Sequence, residues 1–362
     1  MGVASAAPIN IVQTGHNIGA EGTTFTNDGN ITLGHAAGAA NSTHQVINSP
    51  NSNGNNIAIG TLSSNGSKGG ANITLGGKTF LNGTGDNNVI AGSLTANNAK
   101  ATMSIIMGTQ SGEKSEGTKN VWLGHYQGAN STANNSVLIG SGSSVKADFT
   151  LGIGHYTNVN AKKGLAIGSY NTLSDKATES GVFGQGQYGK NAIDASGSYS
   201  IGNYNHISGN NTFVMGNNVT TALENAVILG NDSTDGDVVG TSSYTFKNGT
   251  TVNYAGSTPV STVSVGAKDK ERTITNVAAG RVSATSTDAI NGSQLYGVHQ
   301  MIDSLGQSTN AQLQSSISHV EQNIGRVESE SNKGDARAAA LAALHPMGYD
   351  PDNRIQYMAG YG

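Results

Sequence analysis

The chain has 362 residues, of which 51 are Gly, while aromatic side chains make up only 5% and charged ones 12%. With 19 basic and 23 acidic residues, a net charge of −4 and no long run of either sign, it lacks the concentrated basic surface that nucleic acid requires. Cysteine is absent, which excludes disulfides and thiolate metal sites, and no apolar run reaches the ~18 residues of a membrane-spanning helix.

Residues 1–30 form an N-terminal segment in which Val3-Ala4-Ser5-Ala6-Ala7-Pro8 resembles the small-residue end of an export signal. From Ile31 a short apolar strand ending in glycine keeps returning, as in Ile57-Ala58-Ile59-Gly60, Val121-Trp122-Leu123-Gly124 and Val227-Ile228-Leu229-Gly230. The glycines fall at 34, 60, 76, 92, 108, 124, 140, 154, 168, 184, 202, 216 and 230, so every step after the first is 14, 16 or 18 residues. Even steps preserve which side chains face inward, and no proline lies between Pro50 and Pro259 to interrupt pairing. Residues 31–230 are therefore expected to be a stack of β coils, with the glycine at a corner where φ > 0 or a close backbone approach excludes a Cβ.

The period of two puts the residue before each glycine and the one two earlier on one face, assigned here to the solenoid interior. The middle positions hold Ile90, Ile106, Trp122, Leu138, Val182, Val214 and Ile228. They are read as a second, outer apolar face, buried against other copies of the chain, because a strand apolar on both faces is normally buried on both. Two residues after the glycine stand Tyr126, Tyr156, Tyr170 and Tyr204, which should stack along one outer edge as a candidate ligand-contact column or as a ladder that stabilises the coils.

Asn135-Ser136-Val137-Leu138-Ile139-Gly140-Ser141-Gly142-Ser143 resembles the Asn-Ser-Val-Ala-Ile-Gly-x-x-Ser repeat of the YadA-like trimeric autotransporter adhesins, with Leu for Ala. The resemblance implies a mainly β fold, a left-handed parallel β-roll head forming a homotrimer, followed by a neck and an α-helical trimeric coiled coil. It implies an adhesin at the outer-membrane surface. Expected partners are two further copies of the chain and a host matrix or cell-surface protein such as collagen, fibronectin or an epithelial receptor. Because collagen attachment in that family is associated with these repeats, Asn135, Ser136, Val137, Ile139 and Gly140 are further candidate ligand contacts. Self-association of heads is the alternative function, and a polysaccharide-binding or -cleaving solenoid a remote one.

Residues 231–262, with Tyr244, Phe246 and Tyr254 alternating, read as a hairpin-like joint. Residues 263–298, including Ile274 to Gly280 and Thr287 to Leu295, are similar to the family's neck, and that resemblance implies inter-subunit pairing for Arg272, Arg281 and Asp288. The period then becomes helical over a stalk at 299–335. Leu295, Val298, Ile302 and Leu305, and again Ile317, Val320, Ile324 and Val327, keep heptad spacing, joined through Thr309 and Leu313 by an eleven-residue segment. Leu295, Ile302, Leu305, Ile317, Val320 and Ile324 are expected at the trimer interface. Residues 336–362 break at His345-Pro346 and end on an alternating strand at 355–362, similar to the beginning of the family's membrane anchor, so the fragment is expected to be soluble and to meet a membrane only through the remainder of that anchor.

No catalytic, cofactor or metal site is expected. Gly184-Gln185-Gly186-Gln187-Tyr188-Gly189 matches the dinucleotide pattern G-x-G-x-x-G, but that mechanism needs a following helix and the repeat predicts another coil. The run Asn231 to Asp237 echoes a calcium loop without its closing Glu. His35, His125 and His155 each follow a repeat glycine but show no metal-ligand spacing.

Overall fold

The structure is a computed structural model that describes residues 31–34, 56–344, 348, 351–352, 355 and 357–360. The segment Val3–Pro8, His35 and the His345-Pro346 break lie outside the described residues. The chain divides into two units, Met1–Thr273 and Ile274–Gly362.

In the first unit the recurring triplets become the strands of one 14-stranded parallel sheet, each triplet from Ile31–Leu33 onward pairing with the next along the chain. Register is strict: Val137 pairs with Leu151, Leu138 with Gly152, and Ile139 with Ile153. The sheet closes on Val263–Ser264, which pairs with Val227 and Ile228 after an antiparallel hairpin of Ser243–Thr245 with Thr251–Asn253. The wall opposite is built of shorter parallel pairings, among them Ser144–Val145, Asn158–Val159 and Thr172–Leu173.

The corner glycines satisfy both conditions read from the spacing. Gly140 has φ +131°, and a Cβ there would collide with the backbone of Gly154, its counterpart in the next coil. At the opposite end of the strand, side-chain oxygens replace the ladder. Oδ1 of Asn72 accepts the backbone N–H of Asn88 at 3.0 Å, Asn88 does the same for Ser104, and Asn120 for Ser136. These buried amides satisfy donors that a tight corner leaves unpaired.

The interior corrects the face assignment made from periodicity. Ile90, Ile106, Trp122, Leu138, Val182, Val214 and Ile228 are fully buried inside a single chain, packed with Val145, Val159, Leu173, Ile193 and Ile207 of the opposite wall. A side chain so enclosed cannot meet another copy. The outward residues are the first and third of each triplet: Ile73, Leu75, Ile105, Met107, Ile139 and Ile201 are all exposed. The coil closes over the middle column, one side chain per strand ranging from Gly152 and Ala58 to Trp122, and leaves the first and third columns, Tyr199 and Phe213 among them, outside.

The second unit carries one helix, Gly292–Ala343, running without a break across the expected end of the stalk at residue 335. It starts at a capping box: the Asn291 side chain accepts the N–H of Gln294, and Gln294 Oε1 accepts the Asn291 N–H at 3.1 Å. No residue of the helix is buried. Of the alternating tail, residues 355 and 357–360 are described and belong to no strand.

Candidate functional site

Two features stand out on the coiled unit: an aromatic corner and an apolar face beside it. The residue two after most of the repeat glycines adopts left-handed backbone, with φ of +54° at Tyr126, +51° at Tyr156 and +56° at Tyr170. Its N–H donates to a carbonyl of the preceding coil, as Tyr156 does to Ser141 at 2.9 Å and Tyr170 to His155 at 2.8 Å. These bonds hold the corner in register, so the rings form a column. Tyr156 and Tyr170 stack with centroids 5.7 Å apart, and Tyr188 meets Tyr170 edge-on at 5.9 Å. Tyr204 carries the same backbone, φ +59°, farther along the column.

Sequence reasoning set the histidines apart from this column, but the structure joins them to it. His125 packs edge-on against Tyr126 at 4.4 Å, and His155 touches both Tyr156 at 4.3 Å and Tyr170 at 5.5 Å. The missed signal was adjacency: each precedes a column tyrosine directly. Where the coil supplies Gly142 instead of a tyrosine, the column opens into a cleft of about 350 Å³ between Tyr126 and Tyr156, floored by Ser141, Gly142 and Ser144.

Of the other candidate contacts, Asn135 and Ile139 are exposed, and Val137 and Gly140 are half-buried. Ser136 is withdrawn. Its hydroxyl is fully buried, donating to Asn120 Oδ1 at 2.7 Å and accepting from Trp122 Nε1 at 3.1 Å, so no ligand can reach it.

Beside the aromatic corner runs the apolar face. Its first column passes through Val89, Ile105, Val121 and Val137, and its third through Met107, Leu123, Ile139 and Ile153. In the helical unit, Leu295, Ile302, Leu305, Ile317, Val320 and Ile324 are likewise exposed in the single chain.

The charges at 272–288 find partners within the chain itself. Arg281 grips Asp288 through Nε at 2.7 Å and Nη2 at 3.0 Å, and its backbone N–H adds a third bond at 3.1 Å. The guanidinium, and then that N–H, hold the Asp288 carboxyl below its usual range. Arg272 instead reaches the last coil, donating to Asn231 O, Ser233 Oγ and Val265 O at 2.6 to 2.9 Å. In the acidic run, Asp235 accepts from the Thr221 hydroxyl at 2.8 Å. After Gly189 the chain makes a turn and then a bridge from Ile193 to Leu173 and Ile207, where a dinucleotide site would need a helix. Among the described residues no three His, Asp or Glu side chains gather as a metal site, and no helix is long and apolar enough to cross a membrane.

The family described as "Coiled stalk of trimeric autotransporter adhesin" matches residues 273–316. Autotransporter adhesin BtaE of Brucella suis biovar 1 (strain 1330) is 61% identical over 62 residues, 16% of this chain and 8% of the relative. The solved C-terminal YadA-like domain of a Burkholderia pseudomallei protein is 48% identical over 29% of this chain and 49% of its own, with a TM-score of 0.28. The chain thus spans under a tenth of that curated relative and about half of that solved chain. Over the stretches that these comparisons cover, the chain is similar to YadA-like trimeric autotransporter adhesins, and the matched Brucella relative is named an adhesin.

Proposed function

We propose that the chain is the head, neck and stalk of a homotrimer displayed on the cell surface, and that it attaches the cell to host matrix or cell-surface proteins. The observation that carries the trimer is the exposed double column of apolar residues on one sheet face, continuous from coil to coil, which water covers only at high cost. The helix supports it. A 52-residue helix with no buried residue and an exposed heptad stripe gains its stability from partner helices. The relative named an adhesin supports attachment. The proposed divisions are a head at 31–230, a joint at 231–262, a neck at 263–298, a stalk at 299–335 and the beginning of an anchor at 336–362.

In such a trimer Val137, Ile139 and Gly140 lie on the covered face and Asn135 and the tyrosine column border it. Receptors are then left the walls turned away from the axis, with weak contacts multiplied by three. Sedimentation should give about 110 kDa, three times 36.7 kDa. The purified protein is then offered immobilised collagen, fibronectin and epithelial receptor ectodomains, beside a self-association assay. Saturable binding to a host protein supports attachment. Self-association alone supports the aggregation reading, and binding to neither removes adhesion.

A further inference from the structure

The apolar face is bordered by two corner columns of quite different composition. The trailing corner, two residues after each glycine, is the aromatic column. The leading corner, two residues before each strand, runs Met103, Lys119, Asn135, Phe149, Lys163 and Glu179, and these side chains are all exposed. It too has left-handed backbone, with φ +58° at Lys119, +54° at Asn135, +60° at Phe149 and +56° at Lys163. It too is held in register, since the Asn135 N–H donates to Thr118 O and that of Phe149 to Asn134 O.

In the four consecutive coils whose glycines are 124, 140, 154 and 168, the two corners are complementary. The strand Val121–His125 runs from Lys119 to Tyr126, Leu151–His155 from Phe149 to Tyr156, and Leu165–Ser169 from Lys163 to Tyr170. A cation is thus matched to an aromatic ring twice and an aromatic ring to another once. Val137–Ser141 runs from Asn135 to Gly142, so the coil with the open cleft has a small amide at its other corner. Within one chain these partners cannot meet, because the whole strand separates them.

Rotation about a three-fold axis changes no height along that axis. When three sheets face the axis, the trailing corner of each chain therefore meets the leading corner of the next in the same coil. We propose that these corners form the seams of the trimer. Lys119 and Lys163 of one copy lie on Tyr126 and Tyr170 of its neighbour, Phe149 packs on Tyr156, and Asn135 enters the cleft over Gly142 among the hydroxyls of Ser141 and Ser144. The seam continues the apolar face outward, and Lys163 keeps its 2.5 Å pair with Glu179 of the next coil. This rests on the trimer proposed above and removes Tyr126, Tyr156 and Tyr170 from the receptor surface.

The chain contains no cysteine, so cross-linking tests the seam directly. Lys119→Cys with Tyr126→Cys, and Lys163→Cys with Tyr170→Cys, are made in the full chain and mildly oxidised. Positions at the two ends of one strand lie on the order of 20 Å apart, and a disulfide needs Cα atoms about 4.4–6.8 Å apart, so a bond forms only between chains. The expected result is conversion of the monomer band to covalent trimer on a non-reducing denaturing gel for both matched pairs. The mismatched pair Lys119→Cys with Tyr170→Cys, three coils or about 14 Å out of step, should give none.

A trimer by sedimentation that fails to cross-link in both matched pairs overturns the seam and leaves the trimer standing. A monomer by sedimentation overturns both. Should the cysteine variants fail to fold, nitration of the unaltered protein decides. Protection of Tyr126 and Tyr156 relative to the unfolded chain upholds the seam, and reaction at the unfolded rate overturns it and returns the column to the receptor surface.

Discussion

Tyr156 and Tyr170 stack one coil apart with their planes 17° from parallel, and His155 closes edge-on against both rings. Offset ring pairs contribute about 0.5–1.5 kcal/mol beyond the area they bury. Changing Tyr156→Ser and Tyr170→Ser together should lower the melting temperature of the head by several degrees. Circular dichroism on the variant checks this; unchanged melting would show that the column stabilises nothing.

Interior and outer positions of one triplet should respond differently. Trp122 is enclosed and donates to Ser136, so Trp122→Ala leaves a cavity and removes one of the two hydrogen bonds of the Ser136 hydroxyl, at a cost of about 3–5 kcal/mol. The coils themselves should loosen, read as lost strand signal at lower temperature.

Ile139→Asp, in contrast, leaves the single-chain interior intact and brings three carboxylates toward the proposed axis, each costing several kcal/mol when buried unpaired. Sedimentation should then report dissociation. A stable Ile139→Asp trimer would place the third column in water and remove the apolar face from the assembly.

The Arg281–Asp288 pair gives a pH dependence whose sign is fixed. The folded state holds the Asp288 carboxyl below its unfolded value, so the pair's contribution is present above the unfolded pKa and is lost as pH falls through the folded one. Both partners reach solvent, so the effect is small and weakens in salt. The difference in melting temperature between the parent protein and Asp288→Asn should be constant near neutrality and vanish in strong acid. A difference that persists there would mean that Asp288 acts through something other than its charge.

The helix start offers a fifth check. Asn291 caps the helix, and its amide reaches Val277 O at 3.1 Å, while Gln294 binds Gly280 from both sides, Oε1 accepting its N–H and Nε2 donating to its carbonyl. Asn291→Ala should cost about 1 kcal/mol and fray the first turn, measured as faster amide exchange at residues 292–295.

The repeat of strand and glycine determined a great deal by itself. A recurring Ile-x-Ile-Gly pattern at even steps can satisfy its backbone only by pairing each coil with the next, so the parallel solenoid was legible without coordinates. So was the C-terminal helix, from the heptad stripe that starts at Leu295. Stacking of equivalent positions likewise put Tyr156 over Tyr170.

What periodicity could not decide was direction. A period of two separates two faces but carries no label for inside, and here both were apolar; Trp122 and Leu138 were therefore assigned outward and Ile139 inward, the reverse of the structure. Closure of the coil decided it, because the opposite wall packs against the middle side chain of each strand, enclosing even Trp122, and leaves the first and third columns outside. Tertiary structure alone also paired Arg281 with Asp288 inside one chain and opened the cleft at Gly142. Both depend on how far apart chain segments come to rest in space, a distance that no spacing along the sequence encodes.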